Sequence, residues 1–396
     1  MPTTTRWSLV AVLIAAGIVA AAQVGKAAIA VPLLEQDLGL SLAAASWIVS
    51  AYALLGAVGG LAIGFGVSRL GLRRSLVAGT AILGTASIAG AFAPNGAVLF
   101  VIRVVEGCGL LVVAVSIPTL LRTVAAPRDR DLVLAAWSAY MPAGTGLMLL
   151  AGPWLTGFGW QGLWLANGVV LVLLAPVLAV MVPTVAAKPD TMRNVGALLR
   201  QPAPLLIALA FGLYTFQFTA ISGLLPELLV ARHGLSIAAA GALAGIASLA
   251  NAAGNLSAGA LMRWRVPQWA IIVTAFAIMG LASFGIFSPD LPVAAVAVLA
   301  AVSLGATGAI PASNFAAAPR IIHDTGMLAL MFGLINQTSN VGQLLGPGAL
   351  GAFVQHLGWS LAPILFVGIA IAGITVGLAL RPLMQPSGAR ISPTRS

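Results

Sequence analysis

Charge is what this sequence has least of. Only 7% of its 396 residues are Asp, Glu, Lys or Arg, against about 25% in an ordinary water-soluble domain. A globule of this length with so few charges could not cover its own surface in water. In a bilayer the apolar side chains face an apolar solvent instead. Cysteine is nearly absent as well: Cys108 stands alone, which excludes an intramolecular disulfide. The three histidines (His233, His323, His356) lie near the ends of apolar runs, and no cluster of ligating residues has metal-site spacing. No metal and no cofactor is therefore expected. A G-x-x-x-x-G-K-[ST] loop for ATP is missing, and no nucleophile–base set is present, so the chain does not read as an enzyme.

What the chain has is apolar length. It is 60% hydrophobic, with a mean hydropathy of +1.06. Hydropathy predicts twelve spans, each near the ~20 residues needed to cross a bilayer: 8–34, 43–66, 75–94, 97–121, 132–154, 161–182, 203–229, 237–262, 267–288, 291–317, 327–354 and 359–381. Arg6 and the run Leu9–Ala22 look like a signal peptide, but the apolar stretch continues to Leu34, which favours a retained first helix. The expected fold class is an all-α polytopic membrane protein of twelve helices. With the N-terminus inside, every one of the 19 Lys and Arg residues except Arg232, Lys26 and Arg103 falls in a cytoplasmic connection or tail. That asymmetry obeys the positive-inside rule and places both termini in the cytoplasm. The net charge of +10 is scattered over short loops rather than gathered in a patch, so the expected partner is the lipid bilayer and not nucleic acid.

The two halves repeat one another. Gly39-Leu40-Ser41 after the first span recurs as Gly234-Leu235-Ser236 after the seventh, and Gly159-Trp160 before the sixth recurs as Gly358-Trp359 before the twelfth. The expected organisation is a six-helix bundle over 1–183, a cytoplasmic linker over 184–202, a second bundle over 203–384 and a cytoplasmic tail over 385–396. Parallel repeats of this kind, related by an axis along the membrane normal, build one transporter architecture. Glycines at small-residue spacing, such as Gly56, Gly60 and Gly64, allow close helix approach.

Local motifs point the same way. The 2–3 loop, Gly64-Phe65-Gly66-Val67-Ser68-Arg69-Leu70-Gly71-Leu72-Arg73-Arg74, resembles the G-x-x-x-D-R-x-G-R-R signature of the major facilitator superfamily, with Ser68 for the Asp and Leu72 for an Arg. The resemblance implies a conformational latch at Gly64, Ser68, Arg69, Gly71, Arg73 and Arg74. Ser68 supplies no charge to it. Arg103-Val104-Val105-Glu106-Gly107-Cys108-Gly109 is similar to the family's R-x-x-Q-G-x-G pattern in helix 4. Span 1 is similar to the opening of drug–proton antiporters, but Gln23 replaces their Asp, which weakens a cationic-drug reading. Gly333, Gly342, Gly346-Pro347 and Gly351 in span 11 resemble a glycine series that antiporters carry on helix 5.

Candidate site residues follow from polarity inside the spans, where ionisable groups are costly and functional by default. Arg103 and Glu106 share a helix face at i, i+3. Glu106 reads either as a proton-coupling carboxylate tuned by Arg103 or as half of a structural pair. Lys26 reads as a cavity cation or as a lysine snorkelling to the outer interface. The predicted substrate-binding set is Gln23, Lys26, Tyr52, Arg103, Trp137, Tyr140, Tyr214, Gln217, Asn251, Asn314, Asn336 and Asn340. Asn336, Asn340 and Gln343 fall on one helical stripe. Two membrane cations and one carboxylate predict a secondary active transporter for a small polar, anionic organic solute. It would work by alternating access coupled to protons, as a monomer in a bacterial inner membrane. The alternative is efflux of drugs or metabolites by proton antiport.

Overall fold

The computed structural model describes residues 4–59, 67, 70–184, 195–322 and 325–383. Among these residues every regular element is a helix. The longer ones are α1 (Trp7–Leu38), α2 (Leu42–Gly59), α3 (Leu72–Gly90), α4 (Gly96–Val124), α5 (Tyr140–Ala151), α6 (Gly159–Met181), α7 (Pro202–His233), α8 (Ile237–Arg263), α9 (Gln268–Ile286), α10 (Val293–Ile321), α11 (Thr325–Leu357) and α12 (Ala362–Leu380). Nine stretches of the described residues are long and apolar enough to cross a membrane. Tyr140–Met181 counts there as one stretch, although Gly159, at φ +70°, begins α6 as a separate helix. The α3 and α11 helices fall outside the nine. Paired Arg73 and Arg74 lower the hydropathy of the first, and the run of Asn and Gln residues lowers that of the second.

The sequence repeats produce repeated backbone. Gly39 and Gly234 end α1 and α7 in the left-handed region, at φ 62° and 63°, where a side chain would be strained. Two residues on, Ser41 and Ser236 cap α2 and α8 by accepting from Ala44 N and Ala239 N at 3.3 and 3.2 Å. Gly159 opens α6 at φ 70°, and Gly358 sits at φ 80° just ahead of α12. Helix neighbours repeat in the same way. The α3 helix packs on α4 and α6 as α9 packs on α10 and α12, and α1 packs on α5 as α7 packs on α11. The α2–α11 and α5–α8 faces, with the α1–α7 crossing, join the first six helices to the last six.

Large apolar side chains point outward at helical spacing, as on Ile364, Ile371 and Leu378 of α12 and on Val169, Leu173, Val177 and Val180 of α6. Polar side chains point inward: Gln23, Lys26, Arg103, Glu106, Gln217, Asn251 and Asn314 are all fully buried. This inverted distribution is what a lipid-exposed bundle requires. The proposed latch residues Gly64, Ser68 and Arg69, most of the 184–202 segment and the 385–396 tail lie outside the described residues.

Candidate functional site

A close approach of two backbones builds the centre of the site. At Gly107 a Cβ would lie 1.8 Å from Tyr52 O, so α4 meets α2 with no side chain between them. Here α2 tightens into a 3-10 turn over Ala51–Ala53. Just before that turn the carbonyls of Ile48 and Val49 accept hydrogen bonds from Arg103 Nε and Nη2 at 3.1 and 3.2 Å. Arg103 Nη1 donates to Glu106 Oε2 and to Gln23 Oε1. Lys26 Nζ lies 2.7 Å from the other carboxylate oxygen, Glu106 Oε1, and donates to Ser87 Oγ at 2.6 Å. Ser87 in turn donates to Trp164 O at 2.7 Å. The ammonium also sits 4.9 Å from the centre of a Trp164 ring, within cation–π range.

Four helices therefore enclose one carboxylate between two cations, and Lys26, Arg103 and Glu106 are each 0% exposed. Buried ions survive only when paired and hydrogen-bonded, and this cluster meets that condition with one cation in excess. Lys26 does not snorkel. Its ammonium is fully buried and held by Glu106 and Ser87 instead. Gln23 Nε2 is buried beside Arg103 with no hydrogen-bond partner.

Tyr52 connects this cluster to an open cleft. Its ring centre is 5.5 Å from the Arg103 guanidinium, and its hydroxyl donates to Gln343 Oε1 at 2.8 Å. The cleft lies between α2, α4, α5 and α11, with Tyr52, Tyr140, Asn336, Asn340 and Gln343 as its polar wall. Gln343 Nε2 donates to Ser339 Oγ, and Asn340 Nδ2 donates to the carbonyl of Asn336, both at 2.8 Å. Trp137 stacks on Tyr140, with ring centres 4.0 Å apart and planes 7° apart.

The structure thus brings Gln23, Lys26, Arg103 and Glu106 into one cluster and Tyr52, Tyr140, Asn336 and Asn340 onto one cleft, with Trp137 behind Tyr140. Four other candidates stand away from the cleft wall, because neighbouring helices already satisfy them. Tyr214 donates to Asn251, whose amide donates to Leu304 O, at 2.9 and 2.7 Å. Gln217 bonds Ser303 and Thr307, and Asn314 bonds Gln268 and Ile207 O. These contacts join helices, a common use of amides in membrane bundles. Sequence reasoning missed Ser87 and Trp164, which touch the Lys26 ammonium directly. A single serine and a single tryptophan in apolar spans carry no spacing signal. Of the latch residues, Arg73 donates to Thr184 Oγ1 at 3.2 Å and to Ala179 O, tying the start of α3 to the end of α6.

Comparison with known proteins agrees with this architecture. The sequence profile of the Major Facilitator Superfamily matches residues 12–328 and 207–396. A gallate transporter of Pseudomonas putida is 28% identical over 391 residues, 88% of this chain and 85% of that protein. The methyl viologen resistance protein SmvA of Salmonella typhimurium is 28% identical over 197 residues, 49% of this chain and 39% of that one. An arabinose-proton symporter of Escherichia coli is 29% identical over 181 residues, 46% and 38% of the two chains. The crystal structure of a bacterial homologue of the human lysosomal transporter Spinster superposes with a TM-score of 0.74 over 96% of both chains at 14% identity, a likeness of fold.

Proposed function

The chain belongs to the major facilitator superfamily, a family of multi-pass membrane transporters, and from that premise we propose that it is a secondary active transporter of a small organic anion. The observation that carries the reading is the buried cluster: two cations, Lys26 and Arg103, share the single carboxylate of Glu106. One positive charge is left over, next to a cleft walled by phenols and amides. A monovalent anion entering that cleft supplies the missing charge. The unpartnered Gln23 Nε2 supplies a further donor. Similarity to a gallate transporter over most of both chains favours an aromatic carboxylate, and Tyr52 and Tyr140 on the cleft wall offer the rings such a solute would pack on.

Transport proceeds by alternating access, with twelve spans in two bundles (1–183 and 203–384) rocking about the cleft, and protons coupled through the cluster that contains Glu106. The termini and the 184–202 linker lie in the cytoplasm of a bacterial cell, and the 2–3 loop from Gly64 to Arg74 closes that face. The protein works as a monomer, and it needs no cofactor. A second reading, proton-driven drug efflux, rests on the partial match to SmvA.

Purified protein in liposomes with a trapped pH dye separates the two. Gallate and related aromatic carboxylates should trigger proton movement that is lost in Arg103→Ala. Proton movement triggered by methyl viologen and not by any carboxylate would overturn the anion reading and support efflux.

A further inference from the structure

We infer that Lys26, rather than Glu106, carries the coupled proton, so that the buried cluster is electrically neutral both when empty and when loaded with a monovalent anion. The inference rests on the anion-transport reading above and assigns its stoichiometry.

The argument is a count of charges in a closed space. Arg103 cannot shed its proton. Protonating Glu106 would leave two cations in contact with no counter-charge, since both Lys26 and Arg103 bond it directly. Releasing one proton from Lys26 leaves a neutral Arg103–Glu106 pair and an amine still able to bond Ser87 and to donate to Glu106. Among the described residues no other charged group stands ready to balance the cluster. From α4 Lys26 faces Glu106 and Arg103; α3 sets the Ser87 hydroxyl against it, and α6 the Trp164 ring. The α2 helix contributes the Tyr52 phenol on the far side of Arg103. The α5 and α7 helices set no charged side chain against it among the described residues.

Two states of the site are thus free of net charge. In the empty state Lys26 is neutral. In the loaded state Lys26 has taken up one proton and the cleft holds one monovalent anion. A site that must change its exposure across a bilayer does so most readily when uncharged, because moving an unbalanced charge through hydrocarbon is costly. The cycle balances: one H⁺ and one A⁻ enter together on one side, and both leave on the other. The result is electroneutral 1:1 symport of proton and anion, with the protonated, empty site as the state that does not cross.

Full-length protein in proteoliposomes with labelled gallate, singly charged near neutral pH, tests this. Wild-type uptake should follow a pH gradient and change by less than about twofold when a potassium–valinomycin potential of either sign is imposed. Lys26→Arg fixes the charge. It should still exchange labelled for unlabelled gallate, at a reduced rate, while net pH-driven uptake falls by at least about tenfold. Wild-type uptake that follows the membrane potential, or a Lys26→Arg variant with net uptake as pH-dependent as wild type, would overturn the assignment while leaving anion transport standing. A wild type that neither accumulates nor exchanges gallate would remove the anion reading itself, and the inference with it. The potential measurement needs no variant, so a misfolded Lys26→Arg protein leaves the test intact.

Discussion

Removing the carboxylate and removing the lysine should have unequal consequences for stability. Glu106→Gln leaves Lys26 and Arg103 buried at 0% exposure with no counter-charge. Breaking a buried pair by deleting one partner costs about 3–5 kcal/mol, and here the deletion strips Arg103 in the empty protein and Lys26 as well whenever it is protonated. Lys26→Met is different. The Arg103–Glu106 pair survives with its bonds to Gln23 and to the Ile48 and Val49 carbonyls. What is lost is the ammonium bond to Glu106 and the bond to Ser87, whose hydroxyl keeps its own bond to Trp164 O. A bond to a neutral hydroxyl contributes about 0.5–1.5 kcal/mol, and removal of the excess cation offsets it. Lys26→Met should therefore stay within about 1 kcal/mol of wild type while failing in transport. Because membrane proteins of this size unfold irreversibly, the comparison is one of apparent midpoints at a single heating rate in one detergent, read by tryptophan fluorescence. Equal losses in the two variants would refute the charge count, and so would an unaffected Glu106→Gln.

Gly107→Ala should destabilise by more than about 1–3 kcal/mol, the usual range for overpacking, because its Cβ would fall 1.8 Å from Tyr52 O. Gly259→Ala, with open space around it, should gain about 0.5–1 kcal/mol as a helix-interior replacement; the same thermal assay reads both. Tyr52→Phe removes the 2.8 Å bond to Gln343, and its expected effect of about 1 kcal/mol is a severalfold rise in KM for the anion with little change in folding. Asn255→Ala deletes both bonds to Ser138, at 2.8 and 3.0 Å. It should release that end of α8 by about 1–3 kcal/mol, seen as a lower apparent midpoint in the same thermal assay.

Local geometry was readable in the sequence, and pairing across helices was not. The Gly-x-Ser repeats encode a left-handed helix end followed by a serine cap, and both copies fold that way. The i, i+3 spacing of Arg103 and Glu106 sufficed to put them on one face, and they are bonded. Lys26 reaches the same carboxylate from 80 positions away, a relation that no periodicity contains. A lysine twenty residues into an apolar run fits a snorkelling anchor and a buried ligand equally well until packing shows what holds its ammonium. The same limit explains the amides. Sequence counts the donors and acceptors on each helix, but only packing decides which are already satisfied. The α11 stripe faces the cleft, while Tyr214, Gln217, Asn251 and Asn314 are satisfied by neighbouring side chains and backbone.

The placement of charge relative to the helix interfaces has a mechanical consequence. Every member of the cluster comes from α1, α3, α4 or α6, with α2 giving its carbonyls, so all its bonds lie within the first six helices. It can stay assembled while those helices move as a body. The polar bond that leaves it is at its edge: Tyr52, against Arg103, holds Gln343 of α11. A solute bound between Tyr52 and the α11 amides would therefore touch the charged cluster's edge on one side and neutral amides on the other. On the proposed cycle charge would hold the solute, and exchange of the one neutral bond at Gln343 would accompany closure. Because that bond contributes only about 1 kcal/mol, a weakly held substrate is enough to displace it. The strong bonds of the cluster need not break during the cycle.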